Sequence, residues 1–360
     1  MKKNWSMRAY REGDEEGILK LWEVSCPDNE YNREEWMRWW RWIYKDNPAG
    51  AGWIWLAENN HRIIGHRGMI PVKMKAGTEI VTGFQSIDSL THPSYRGKGV
   101  YLGLNKEVFT AASAQGAHIG YGFPNENAYP TAVKKLGGFD VARRQPLVKI
   151  LYCENVLKER LRNKLLLKLM APAINLVSNK ILFRAKRPSF VPGLKINQIS
   201  FFDERVNEFW DEISGQYPIM VVRDKDYLNW RYVTIPDVNY VIHEAQIAGK
   251  IQGYLVFRCM QQQRAKFCVI FDIMAHSEKI AQHLISEAFK YCEREKVDVF
   301  YCSMVPDKLY HKTLKRNGFI SLPFLKRTYI VAYLSSPNIS KEFLEDPQNW
   351  IVQEGDSDRL

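Results

Sequence analysis

A strand that runs into a glycine turn and out into a helix constrains this chain more than any other feature. The stretch is Leu90-Thr91-His92-Pro93-Ser94-Tyr95-Arg96-Gly97-Lys98-Gly99-Val100-Tyr101-Leu102. Pro93 ends the strand, because proline supplies no ladder donor. Apolar spacing at Val100, Leu104, Val108 and Ala111 predicts a helix over about 100–115, with Gly116 at its C′ position. A helix start offers free N–H groups and a partial positive charge. Glycines let the backbone wrap an anion closely, and Arg96 and Lys98 add charge. The turn is predicted to hold an anion, most naturally a pyrophosphate.

The flanks set the fold class. Three strand-like runs precede the turn: Trp53–Glu58, Ile63–Lys75 and Glu79–Thr91. Asn59-Asn60 and Ala76-Gly77 read as hairpin turns between them. Ahead of these lie a strand near Trp5–Tyr10, a helix carrying Ile18, Leu21 and Trp22, and a helix about Arg33–Lys45. That second helix must stop before Pro48. A strand at His118–Gly122, a helix about Glu126–Leu136 and strands across Phe139–Tyr152 follow the turn. A meander before the glycine turn excludes a βαβαβ array from the start. The expected class is α/β with a mixed (α+β) sheet.

The second half repeats much of this order. Strands about Lys195–Phe201, near Tyr240–Glu244, Ile251–Cys259 and Lys266–Met274 accompany helices Glu204–Ser214, Asp224–Tyr232 and Ser277–Glu295. A strand Val299–Ser303, a helix about Asp307–Asn317, and strands Phe319–Leu322 and Thr328–Tyr333 close it. Trp40-Arg41-Trp42 ahead of Pro48 echoes Trp230-Arg231-Tyr232 ahead of Pro236. We therefore expect two copies of one unit, at 1–153 and 191–335, a basic helical linker at 154–190 and a tail at 336–360.

Three nucleotide readings compete for the turn. A Walker loop needs Ser or Thr after the lysine, and Gly99 stands there. A dinucleotide fingerprint should open a βαβ unit and be followed by an acidic strand end, but the next strand ends in Tyr121-Gly122-Phe123. Coenzyme A remains. At these residues the sequence resembles the GNAT superfamily of acyl-CoA N-acyltransferases, whose motif is a Pro-x-Tyr-Arg lead into a glycine loop that opens a helix. The match runs from Pro93 through Gly99 and departs at Tyr101, where a small residue is usual. Asn125-Glu126-Asn127-Ala128 and Leu136-Gly137-Gly138-Phe139 are similar to the family's second signature. The resemblance covers about residues 5–150. The second half's equivalent, Asp272–Lys279, has no glycine.

That resemblance implies two tandem GNAT-like domains, with acetyl-CoA on the first. It implies an N-acetyltransferase acting on a primary amine of a small molecule or sugar. Leu90, Thr91 and His92 would supply a backbone donor to the thioester carbonyl. Arg96, Gly97, Lys98, Gly99, Val100 and Tyr101 would hold the pyrophosphate, and Asn125 would flank the cofactor. An attacking amine must lose a proton, and the thiolate leaves with or without an acid. Asp88 is the candidate base. The family's usual acid tyrosine would fall at Ala132 or Val133, so Tyr129, one helical turn upstream of Val133, is the candidate acid. The same fold also suits another acyl donor, such as aminoacyl-tRNA, or CoA binding without turnover.

Charge narrows the partners. The chain of 360 residues carries a net charge of +11. The segment 154–187 holds nine cations against two carboxylates, so most of the excess is local. Its leucines (Leu157, Leu161, Leu165, Leu169) fall on one helical face. It reads as a bridge between domains. A basic amphipathic helix of this kind also suits an anionic membrane surface, through 155–187. Nucleic acid is disfavoured, because no recognition motif accompanies the charge. No run of about 18 apolar residues occurs and no leader pattern opens the chain, so a cytoplasmic, at most membrane-peripheral, protein is expected. The six cysteines include no CxxC pair, so no metal site is expected and the thiols read as reduced. Eight of the 11 tryptophans fall in the first 55 residues. Trp22, Trp36 and Trp40 fit core positions, whereas Trp39, Trp42 or Trp53 could wall an acceptor site. The tail acids Asp356 and Asp358 could reach a pocket between the domains, but they read most simply as solvated.

Overall fold

The protein was described from a computed structural model, which covers residues 4–27, 32–152, 154–155, 188–322, 325–335 and 338–358. Residues 156–187, and with them the leucine face and cations of the basic segment, lie outside the described residues.

The first half begins with β1 (Ser6–Ala9), α1 (Glu15–Ser25) and α2 (Arg33–Tyr44). Two donors at the start of α2 are satisfied reciprocally. Asn32 Oδ1 accepts from Glu35 N at 3.0 Å, and Glu35 Oε2 accepts from Asn32 N at 3.1 Å. The helix buries Trp36, Trp40 and Trp42 against the sheet face that α1 covers with Ile18 and Leu21. β2 (Trp53–Asn59), β3 (Arg62–Ala76) and β4 (Glu79–Thr91) extend β1 as an antiparallel meander. α3 (Val100–Ala114) then crosses to β5 (Ile119–Gly122), which runs parallel to β4. α4 (Tyr129–Lys135) leads to β6 (Phe139–Ile150), one strand across the span where two short ones are expected.

The second half holds β7 (Leu194–Ile199), α5 (Arg205–Ser214), β8 (Ile219–Val221), α6 (Lys225–Tyr232) and β9 (Val241–Ile247). It continues with β10 (Lys250–Gln262), β11 (Ala265–Ala275), α7 (Glu278–Arg294), β12 (Val299–Met304), α8 (Tyr310–Arg316), β13 (Thr328–Leu334) and α9 (Lys341–Glu345). The order of elements here is like that of β2 to β5: antiparallel β9, β10 and β11, a helix, then a parallel strand, β12. Phe319–Leu322 contributes a single bridge, Ile320 to Val148, in place of the expected strand. The three-residue β8, too short to show a period, pairs with the end of β3.

The sheet order is β1-β2-β3-β4-β5-β13-β6-β12-β11-β10-β9-β7. It crosses the boundary that the sequence suggests. β13 lies between β5 and β6, and β6 runs on to pair with β12. Each half is thus completed by a strand of the other. A cut at 153 and 191 divides the sequence but not the sheet.

The tail departs from its expected solvated state. Trp350, Ile351, Val352, Gln353, Asp356 and Ser357 are buried, Asp356 to 2% exposure. The run enters through a bridge from Trp350 to Ile219 and through Val305 N donating to Val352 O at 3.0 Å. Buried arginines then hold it. Arg223 donates to Asp356 Oδ1 at 2.7 Å and to Asp272 Oδ2 at 3.2 Å. Arg231 donates to the carbonyls of Gly355 at 3.0 Å and Ser357 at 2.9 Å. A charge buried this deeply persists only when paired and hydrogen-bonded. The apolar run Trp350-Ile351-Val352 was the signal for burial, and Asp356, which follows it, is the partner of Arg223. Among the described residues, no helix is long and apolar enough to cross a membrane.

Candidate active site

β4 is irregular where the site forms. Arg67 pairs with Ser89 and Gly68 with Ile87, so Asp88 is an extra residue facing no partner. Its φ of +39° is a conformation that side-chain-bearing residues rarely adopt. A bulge bends its strand and re-aims a side chain. Pairing of β4 with β5 ends at Ser86 and Gly122, so from Ile87 onward β4 is hydrogen-bonded to β3 alone. A wedge opens there, and the glycine turn stands at its end.

Alternation in the ladder decides which donors face the wedge. His92 N donates to Ile64 O at 2.9 Å. Residues opposite each other alternate between bonded and non-bonded pairs. His92 and Leu90 therefore spend their N–H groups on β3, and those of Thr91 and Ser89 point outward. Of the three expected backbone donors, Thr91 has an N–H that points away from β3, as does Ser89, whereas Leu90 and His92 spend theirs on the ladder. The His92 ring caps the turn by accepting Ser94 N at Nδ1, 3.2 Å away.

The turn has the expected form. Gly97 (φ +75°) and Gly99 (φ +82°) are left-handed, and a Cβ at either would meet nothing within 4 Å. Glycine is needed there for conformation, while open space lies in front. Arg96, Gly97, Lys98 and Gly99 are exposed, and Val100 is buried at the helix start. The first bond of α3 runs from Gly103 N to Gly99 O at 3.0 Å, so the helix offers no acceptor to Val100, Tyr101 or Leu102 N. In the second half, β11 meets α7 through a two-residue link, and Ser277 Oγ accepts Ile280 N at 3.4 Å. That helix start is closed by its own side chain.

Asp88 is partly buried. Tyr44 donates its hydroxyl to Asp88 Oδ2 at 2.9 Å. Burial and the nearby Asp358 carboxylate push the Asp88 carboxyl up to about 7, against the Tyr44 bond and the Arg67 charge. Gly68 makes room for Tyr44, whose hydroxyl a Cβ at that position would overlap. Arg67 is buried and donates to Asn105 Oδ1 at 2.8 Å, to Ser86 Oγ and to the carbonyls of Ile87 and Gly68. It therefore ties the bulge to α3. The tail carries Asp358 to this place. Ser357 and Asp358 line a small cavity with Gln85, Trp42, Trp230 and Arg231. Trp42 and Trp230 stack at 4.7 Å, and each indole N–H donates to the other's carbonyl, at 3.0 and 3.1 Å. Tyr44→Phe should move the Asp88 titration to higher pH and Asp358→Asn to lower pH, as read by the acidic limb of a pH–rate profile.

Two expected residues are otherwise engaged. Asn125 Oδ1 accepts Asn127 N at 3.1 Å and Ala128 N at 2.9 Å, so it shapes the entry to α4. Tyr129 donates its hydroxyl to Asp140 and stacks on Tyr329 at 4.2 Å. The Asp140 bond pushes its hydroxyl up to about 12. Tyr44 and Arg67 are the residues that sequence reasoning passed over for this site. Tyr44 and Arg67 carry no local signal, since the strand or helix around each reads as ordinary core.

The sequence of residues 6–139 matches the acetyltransferase (GNAT) domain family. These residues form a GNAT acetyltransferase domain. No curated protein matches the chain. Solved structures extend the likeness of fold beyond the GNAT domain. A probable N-acyltransferase of unknown function from Enterococcus faecalis superposes with a TM-score of 0.64 at 11% identity, over 92% of this chain and 72% of that one. A GCN5-related N-acetyltransferase from Anabaena variabilis gives 0.61 at 13%, over 91% and 72%. Saccharomyces cerevisiae N-myristoyltransferase with bound myristoyl-CoA gives 0.60 at 10%, over 92% and 83%. The GNAT domain supports acyl transfer from an acyl-CoA to an amine.

Proposed function

We propose that the chain is an N-acetyltransferase that moves the acetyl group of acetyl-CoA to a primary amine of a small-molecule or sugar acceptor. The observation that carries the reading is Asp88, bulged from β4 just where that strand parts from β5 and next to the glycine turn. Arg96, Gly97, Lys98 and Gly99, with the free N–H groups of Val100 and Tyr101, would hold the pyrophosphate. Thr91 and Ser89 N–H would meet the pantetheine and polarise the thioester carbonyl. Asp88 would take the ammonium proton, and its carboxyl, poised near 7, suits that task at physiological pH. Two GNAT-like units at 1–153 and 191–335 remain our reading of the chain, with the second lacking a cofactor turn and supplying β13, and with the tail 336–360 after it. We also place the protein in the cytoplasm, with 155–187 offered to anionic lipid surfaces.

The amine–thioester exchange leaves a CoA thiolate. An ordinary thiol loses its proton at about 8.5, so this leaving group needs little acid near neutral pH. Tyr129→Phe should therefore change kcat by no more than about threefold, well under the factor of about 10² or more expected of a general acid. Release of free CoA thiol, followed with a panel of amines, reads it. The donor is tested by calorimetry with acetyl-CoA and myristoyl-CoA in parallel. Tight binding of acetyl-CoA with turnover supports the reading, whereas turnover with the long chain alone would replace acetyl by fatty acyl.

A further inference from the structure

A cluster of three thiols in the second half plays no part in acyl transfer. Cys259 on β10 stands directly opposite Cys268 on β11 in their antiparallel register. Cys292 on α7 packs against both, and the three thiols share hydrogen bonds. Opposed residues of an antiparallel pair have Cα atoms about 4.5 or 5.5 Å apart. Both separations fall in the range that a disulfide spans, about 4.4–6.8 Å. Cys268 and Cys292 are fully buried, and Cys259 is the one of the three that is only partly buried.

The surroundings sort the three by reactivity. Thiol donation from Cys268 and Cys292, and the nearby Lys266 ammonium, favour Cys259 as the thiolate. Burial holds Cys268 as the neutral thiol. Lys266 is fixed in place by Glu295, whose carboxylate and carbonyl accept from it at 3.1 and 3.0 Å. The thiolate is the nucleophile in thiol chemistry, so one reactive sulfur sits beside one buried thiol at bonding range.

We propose that Cys259 is a hydroperoxide-reactive thiol and that Cys268 resolves it into a cross-strand disulfide. The Cys259 sulfur attacks one peroxide oxygen, the O–O bond breaks, and an S–O bond forms. The departing hydroxide or alkoxide takes a proton from solvent. The Cys268 sulfur then displaces the hydroxyl of the sulfenic acid, its own proton leaving with that oxygen as water. Two thiols give up two electrons, and the peroxide accepts them. Cys292 stays reduced. Thiol reductants of a reducing compartment would return the pair.

Cys26 provides an internal comparison, because it too is partly exposed, yet burial and Asp88 push its thiol up. The full chain is treated with hydrogen peroxide, alkylated under denaturing conditions and mapped by peptide mass. The expected result is a Cys259–Cys268 cross-link that forms at least about tenfold faster than Cys26 is oxidised. Cys268→Ser should instead leave Cys259 as a sulfenic acid that dimedone traps. Oxidation of Cys259 no faster than of Cys26 would overturn the proposal. So would a wild-type Cys259 that is oxidised without a bridge to Cys268.

Discussion

Asp88→Asn should lower kcat/KM for amine transfer by about 10²–10³-fold at neutral pH, within the range that a positioned base contributes. Acyl-CoA affinity should stay within about twofold, because the amide keeps the size of the carboxyl and the pyrophosphate cradle lies elsewhere on the loop. The pH profile supplies the sharper signature. The base works when ionised, so wild-type kcat/KM should rise with pH and level off above about 7, where burial and Asp358 have pushed the carboxyl. The variant should lose that limb. Stability runs the other way. A carboxyl raised on folding contributes most below its unfolded value of about 4, and that contribution is lost as pH rises through the folded value of about 7. Asp88→Asn should therefore melt higher than wild type at pH 8, with the gap closing toward pH 4, as thermal melts would record.

Gly99→Glu should abolish acyl-CoA binding. The variant sets a carboxylate at the helix start where the pyrophosphate is expected. Two like charges about 4 Å apart at an effective dielectric of about 20 repel by about 4 kcal/mol, or about 10³ in affinity. Backbone strain adds to this, since Gly99 has φ +82°. Gly99→Ala separates the two causes. It carries the left-handed penalty of about 1–2 kcal/mol without the charge. Calorimetry should find Gly99→Ala weakened by about fivefold to thirtyfold and Gly99→Glu silent.

The glycine turn was legible because its physics is local. Positive φ at Gly97 and Gly99, the cations beside them and the helix that follows all lie within a few residues. Most helices and strands were legible for the same reason, through period and capping. Asp88 was placed on the right strand, but its bulge was not visible. The mixed polar and apolar run Glu79–Thr91 gives no sign that one residue has no opposite number. Which of Leu90, Thr91 and His92 faces the wedge depends on ladder parity, and that is set by pairing with β3. The exchange of β6 and β13 was hidden because it joins segments nearly 200 residues apart, and no local pattern encodes that choice of neighbour. Asp356 and Asp358 were placed either in a pocket between the domains or, more simply, in solvent. The partner of Asp356, Arg223, comes from a different element, and only the fold brings the two together.

Acyl transfer at the glycine turn is the central claim, and titrating acetyl-CoA into the wild type and Gly99→Glu by calorimetry tests it most directly. The account predicts one site per chain in the wild type, no detectable heat in the variant, and thiol release on adding an amine. No acyl-CoA binding to a folded wild-type protein, or equal binding to both, would contradict it.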